Sequence, residues 1–282
     1  MRLAFTSDIH IDLNGTSVLD ALCGRVRELA PDVLLVAGDI ATPLDTYLET
    51  LVALRACTSH LLVVAGNHDA WTTPEALAAG IDSRTRIDTV LAETCRQAGA
   101  QLLDVGPAVI DGIGFAGNVG WYDLSTREGT LDAPMEAYRS GRWQGMKWSD
   151  VDHAVFLGAD GARMPVEEVA RACRDRLRTH LRGLKTRRIV VATHMLAFEG
   201  QIHRKDHPGW RFANAYMGSL AMGDLLRSDP RIELAIAGHT HHGSDLRFGR
   251  LRAIASPLGY RREWKGDTPE EAVVHAVRCV EL

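Results

Sequence analysis

Residues 33–43, Val-Leu-Leu-Val-Ala-Gly-Asp-Ile-Ala-Thr-Pro, hold the unit on which the reading of the fold turns. Five apolar residues, 33–37, form a β-rich run, Gly38-Asp39 closes it, and Thr42-Pro43 offers a cap and a first-turn proline to a following helix. The same rhythm lies on both sides. Leu3 to Thr6 and Leu61 to Ala65 are short apolar runs, and between the first two runs Val18, Leu22, Val26 and Leu29 recur at helical spacing. Strand, helix and strand in alternation predict βαβ units and an α/β fold.

Further along, a helix is expected from about 83 to 98, stopped by Gly99, and Val109 to Ala116 reads as a hairpin interrupted by Gly112-Ile113-Gly114. Residues 119–165 lose the rhythm. They contain Trp121, Tyr122, Trp143 and Trp148 among many turn formers, and read as an insertion or lid within one domain spanning 1–282. From Val166 to Leu181 the helical period returns, with Val169, Cys173, Leu177 and Leu181 four apart and arginines on the other faces. Strands are then expected at 189–192, 232–237, 245–248, 251–255 and 273–280.

The 282 residues are 46% hydrophobic and 24% charged. No apolar run approaches the ~18 residues of a membrane span, so a soluble globular protein with no membrane partner is expected. A formal charge of −4 speaks against a partner bound through many nucleic-acid phosphates. The five cysteines are odd in number and scattered without a C-x-x-C pair, as expected of reduced core residues. Strand-like sequence begins at Arg2 with polar candidates already at 8 and 10, which disfavours a cleaved leader and suggests a cytoplasmic location.

Polar clusters follow the apolar runs: Thr6-Ser7-Asp8-Ile9-His10, Gly38-Asp39, Gly66-Asn67-His68-Asp69, His194, and Gly238-His239-Thr240-His241. In open α/β sheets the space beyond the strands' carboxyl ends binds ligands, so these five clusters are expected to converge. Aspartate, asparagine oxygen and imidazole suit Mn²⁺, Fe²⁺ or Fe³⁺, Zn²⁺, Co²⁺ or Ni²⁺. Within Asp8-x-His10 and His239-x-His241, extended chain would point both side chains to one side. Glycines at 38, 66 and 238 would let backbone turn tightly beside the ligands.

The ordered set D-x-H, G-D, G-N-H-D, H, G-H-T-H resembles that of the calcineurin-like metallophosphoesterases. The resemblance implies a four-layer αββα sandwich of two mixed sheets flanked by helices. It also implies two divalent metal ions and hydrolysis of a phosphate ester by a bridging hydroxide, without a covalent enzyme intermediate. By the same resemblance Asp8, His10 and His241 would hold one ion, Asn67, His194 and His239 the other, and Asp39 would bridge them. Two ions sharing a hydroxide offset charge on both attacking and leaving oxygens. His68 matches the family's catalytic histidine, and Asp69 would orient its ring or cap a helix.

Asp12 and Asn14 are explained by a turn at Asn14-Gly15 as well as by the site, and His242 reads as structural. His203, Arg204, Lys205 and His207 form a polar loop able to grip an anion, and Asn118, Trp121 and Tyr122 leave a strand toward a pocket rim. A small phosphorylated substrate, a nucleotide or sugar phosphate, is the expectation. A phosphodiesterase or nuclease is the alternative, and a metal-stabilised scaffold without activity the remote one.

Overall fold

Both faces of Val33–Ala37 are covered, which is why five apolar residues stand there in a row. Leu34 and Val36 join a core cluster with residues of two helices, Leu22 and Val26 of Thr16–Leu29 and Leu51 and Leu54 of Leu44–Arg55. Val33, Leu35 and Ala37 join a different cluster with residues of a second sheet.

The computed structural model describes residues 1–282. In chain order its strands are β1 Arg2–Thr6, β2 Val33–Ala37, β3 His60–Val64, β4 Gln101–Leu102, β5 Ala108–Ile110, β6 Ile113–Asn118, β7 Arg142–Trp143, β8 Met146–Lys147, β9 Arg188–Thr193, β10 Ile232–Ala237, β11 Ser244–Phe248, β12 Leu251–Ala255 and β13 Arg278–Glu281. One sheet has the order β13-β1-β2-β3-β4, the other β11-β12-β10-β9-β6-β5. The first is parallel from β1 to β4 with antiparallel β13 on one edge, and the second is parallel in its middle with antiparallel β11 on β12 and β5 on β6 at its edges.

Between the sheets Leu3, Phe5, Leu35 and Val64 meet Phe115, Val190, Leu234 and Ile254. Outside the second sheet Leu177 and Leu181 of helix Val166–Gly183 and Met222 and Leu226 of helix Leu220–Ser228 pack on Ile189, Val191 and Ala253. The layers therefore run helix, sheet, sheet, helix, a mixed α/β sandwich. No helix is long and apolar enough to cross a membrane. All five cysteines are free, Cys23 and Cys95 buried and the other three half-buried.

The expected strand at 273–280 is corrected: Pro269–Ala276 is a helix, and only Arg278–Glu281 is strand. Thr268 accepts from the Glu271 backbone N–H while Glu271 reaches back, a capping box with proline at the first turn, and this start signal overrides the β-branched Val273-Val274. The helix after Thr42 begins at Leu44, with Pro43 itself as the N-cap. Residues 119–165 hold a short helix, Met135–Ser140, the β7–β8 hairpin and the helix Asp150–His153.

Candidate active site

Asp8, His10, Asp39, His239 and His241 lie just past the ends of β1, β2 and β10, with φ of 53°, 41°, 54°, 72° and 53°. Non-glycine residues rarely adopt this left-handed conformation. The side chains of Asp8-x-His10 and His239-x-His241 thus share a side because the chain coils left-handed there, not because it is extended as expected. Their backbone is tied across elements: Asp8 N–H donates to Gly38 O (3.0 Å), His10 N–H to Asp39 O (3.0 Å), and His239 N–H to Asp8 Oδ1 (2.9 Å). At Gly66 a Cβ would lie 2.0 Å from Asp39 Oδ1, and at Gly238 one would lie 2.6 Å from Asp8 Oδ2, so close approach demands glycine at both.

Seven side chains meet at this edge. Asp8, His10 and His241 converge, with His10 Nε2 and His241 Nε2 3.2 Å apart and Asp8 Oδ1 3.4 Å from His241 Nε2. Asn67 Oδ1 is 2.9 Å from His194 Nε2 and 3.1 Å from His239 Nδ1. Asp39 Oδ2 stands between the two groups, 3.6 Å from His10 Nε2 and 3.4 Å from His194 Nε2.

The donor set fits a pair of divalent ions. Ligand bonds of about 2.0–2.2 Å around one ion separate neighbouring ligand atoms by about 3–3.5 Å, close to the 2.9–3.6 Å found here. The outward ring atoms are anchored as metal-binding histidines require. His194 Nδ1 pairs with Ala37 O (2.8 Å), His239 Nε2 with Tyr216 O (3.1 Å) and His241 Nδ1 with Glu263 Oε2 (2.6 Å). Each leaves its other nitrogen facing the cluster.

Burial opposes charge on every one of these imidazoles, but the carboxylates divide them. Burial pushes His10 down to about 4, and burial with the neighbouring His194 charge pushes His239 to about 3. For His194 and His241 burial is outweighed, by Asp39 and by Asp8 with Glu263, which raise them to about 9 and about 10. Asp8 is held at about 2 against burial by its contact with His241, and Asp39, also against burial, is held well below the usual carboxylate range by His194 and His68.

His68 is half-buried beside the cluster; its backbone N–H donates to Asp39 Oδ1 (2.9 Å) and its ring stacks on Trp71 at 3.9 Å. Asp69 does not orient that ring. Its carboxylate accepts from the N–H groups of Asp39 (2.9 Å), Ile40 (2.9 Å) and Gly66 (2.8 Å), so it fixes the two ligand loops instead.

A cavity of about 350 Å³ opens over Asp39, Asn67, His68, His239 and His241. Its walls are Trp71, Trp148, Trp210 and Tyr260, with Lys147 and Arg262 also lining it. The residues expected at its rim are elsewhere. Asn118 is buried and spends its carboxamide on Cys173 O and the Gly120 N–H, and Trp121 and Tyr122 stack together in the core. His203 stacks on His242, and Arg204 pairs with Glu199 and Glu128. Asp12 and Asn14 bond backbone, at Thr42 N–H and at Ile9 O and Gly259 O. The pocket roles of Trp71 and Trp148 carry no motif in the sequence; what they share is Asp150, whose carboxylate accepts from both indoles.

A helix-flanked double sheet with oxygen and imidazole donors gathered at its strand ends defines the class of hydrolases that work through paired divalent metals. The chain belongs to the calcineurin-like phosphoesterase family, whose model matches residues 1–243, and it is a phosphoric ester hydrolase. A phosphopantetheinyl hydrolase from Mycobacterium tuberculosis is similar over 99% of this chain and 95% of its own, at 20% identity and TM-score 0.76. TT1561 of Thermus thermophilus (99% and 97% covered, 11% identity, TM-score 0.52) and a dimetal phosphatase from Danio rerio (99% and 91%, 16%, 0.51) are also similar. At these identities the likeness is one of fold. No curated protein matches the chain.

Proposed function

We propose that the chain is a phosphomonoesterase for a small phosphorylated molecule, a nucleotide or a sugar phosphate, whose base or sugar face packs on aromatic walls. The observation that carries this is the cavity of about 350 Å³, small, floored by the donor cluster and walled by Trp71, Trp148, Trp210 and Tyr260. In this reading Asp8, His10 and His241 would hold one ion, Asn67, His194 and His239 would hold the other, and Asp39, whose Oδ2 lies near both His10 and His194, would be available to each. Bound there, such ions would supply an acidified water as nucleophile and would offset charge on phosphoryl oxygens. His68, its ring stacked on Trp71 and its backbone N–H tied to Asp39, would give a proton to the leaving oxygen. Arg262 meets further negative charge on the substrate, while the ammonium of Lys147 at the pocket wall is paired with Asp152 (2.6 Å).

The test is phosphate released by metal-reconstituted protein from a panel of nucleotides, sugar phosphates and a phosphopantetheinyl diester. p-Nitrophenyl phosphate and its bis-ester are run in parallel. Faster turnover of the monoester is expected. Faster turnover of diesters throughout would replace this reading with a phosphodiesterase.

A further inference from the structure

Asp150 opens the helix Asp150–His153 of the inserted stretch and is 1% exposed. Its carboxylate takes three N–H donors, all from residues of the pocket. Oδ1 accepts from Asn67 Nδ2 (2.9 Å) and Trp71 Nε1 (2.7 Å), and Oδ2 from Trp148 Nε1 (2.9 Å). The backbone beneath it is stapled by Arg163, which donates to Val151 O (2.6 Å) and Ala154 O (2.6 Å).

Each of the three donors leads to a part of the site. An amide's two ends are nearly alike in shape, and a neighbour that only accepts decides which end turns outward. Asp150 draws the Asn67 nitrogen, leaving Oδ1 toward His194 and His239. Trp71 carries the stacked ring of His68. Trp148 stacks on Tyr216 at 5.0 Å, and the Tyr216 carbonyl oxygen pairs with His239 Nε2.

We propose that Asp150 is a positioning residue through which the inserted stretch 119–165 sets divalent-metal affinity, the pose of His68 and the pocket wall together. The inference rests on the reading of Asn67 as a ligand and His68 as the proton donor. A carboxylate accepting from the amide nitrogen also makes the amide oxygen a stronger donor to a cation. The effects of substitution are unequal by geometry. In Asp150→Asn the oxygen can keep Asn67 and Trp71 only by setting the new amide nitrogen against the Trp148 N–H, so Trp148 is released. In Asp150→Ala all three donors lose their acceptor.

Full-length D150A and D150N, checked by circular dichroism, are stripped with chelator and titrated calorimetrically with Mn²⁺. One of the two ions is expected to bind about 10–100-fold more weakly in D150A while the other keeps its affinity. D150N shows a smaller loss of affinity with a red shift of indole emission, and it carries the test if D150A does not fold. Repeating D150A in an Asn67→Ala background separates positioning from general destabilisation: the added loss should largely vanish there. Unchanged Mn²⁺ affinity in both single variants, or an undiminished effect of D150A without Asn67, overturns the proposal. Wild-type protein that binds two ions but releases phosphate from nothing would overturn the phosphoesterase reading instead.

Discussion

Five of the nine non-glycine residues with left-handed backbone are Asp8, His10, Asp39, His239 and His241. Each such residue costs roughly 1–3 kcal/mol and persists only where the surroundings over-determine it. Here the cross-ties among Asp8, Gly38, Asp39 and Asp69 do so, which makes the site intolerant of small displacements. Gly66→Ala places a methyl 2.0 Å from Asp39 Oδ1, and a shift of that carboxylate should lower kcat by about 100-fold with loss of bound metal. His68→Ala should behave differently, losing about 10²–10⁴ in kcat while metal content, read by elemental analysis, stays at the wild-type value. Retained kcat in His68→Ala would remove it from the mechanism. The split among the imidazoles gives a third expectation. With His194 and His241 raised to about 9 and about 10, both carry protons at pH 7 in metal-free protein and must shed them to coordinate. Metal loading at pH 7 should release about two protons, measured by calorimetry in buffers of different ionisation enthalpy. Metal affinity should rise with pH until that range is passed.

Among the elements, those whose two faces are covered are the ones legible beforehand. β1, β2, β3, β9 and β10 appear as apolar runs because helices and the opposite sheet bury both sides, and a polar cluster directly after such a run marks the site edge. Residues 119–165 offer no period to read. Their tryptophans therefore look alike in sequence, yet Trp121 packs against Phe156 in the core while Trp148 lines the pocket, a division made by tertiary contacts alone. The left-handed turns are equally illegible, since Asp and His carry no obligation to that conformation. Asp104 is an example of a link between elements without a motif. Its carboxylate, 1% exposed, accepts from Ala65 N–H after β3 (2.9 Å) and from Val119 N–H after β6 (2.8 Å), joining the two sheets beside the site. Asp104→Ala should cost about 2–5 kcal/mol of unfolding free energy by orphaning two buried donors. Burial raises this carboxyl to about 6, so the native state holds its proton more tightly than the unfolded chain. The contribution of the group is therefore greatest at low pH, declines as pH rises through about 4 to 6, and is level above. Denaturant titrations of wild type and Asp104→Asn across pH 4–7 check the sign, because the difference between them should change only within that window.

At the scale of the whole molecule the donor cluster lies on a seam. Asp8 and Asp39 belong to loops of the first sheet, His194 and His239 to loops of the second, and a cation held by donors from both can be retained only while the two sheets stay packed. Ions that bind the native state and not the unfolded chain stabilise it by RT ln(1 + [L]/Kd), about 4 kcal/mol per site at a thousandfold excess. If the proposed ligands are shared across the interface, that gain should appear in the global unfolding transition and not in a local one. Hydrogen exchange with and without Mn²⁺ discriminates the two. If the centre acts as a seam, amides of β2 in one sheet and β10 in the other should gain protection together, by equal increments of opening free energy. Protection confined to the loops around Asn67 and His241, with β2 and β10 unchanged, would mean that the ions order the site without joining the sheets.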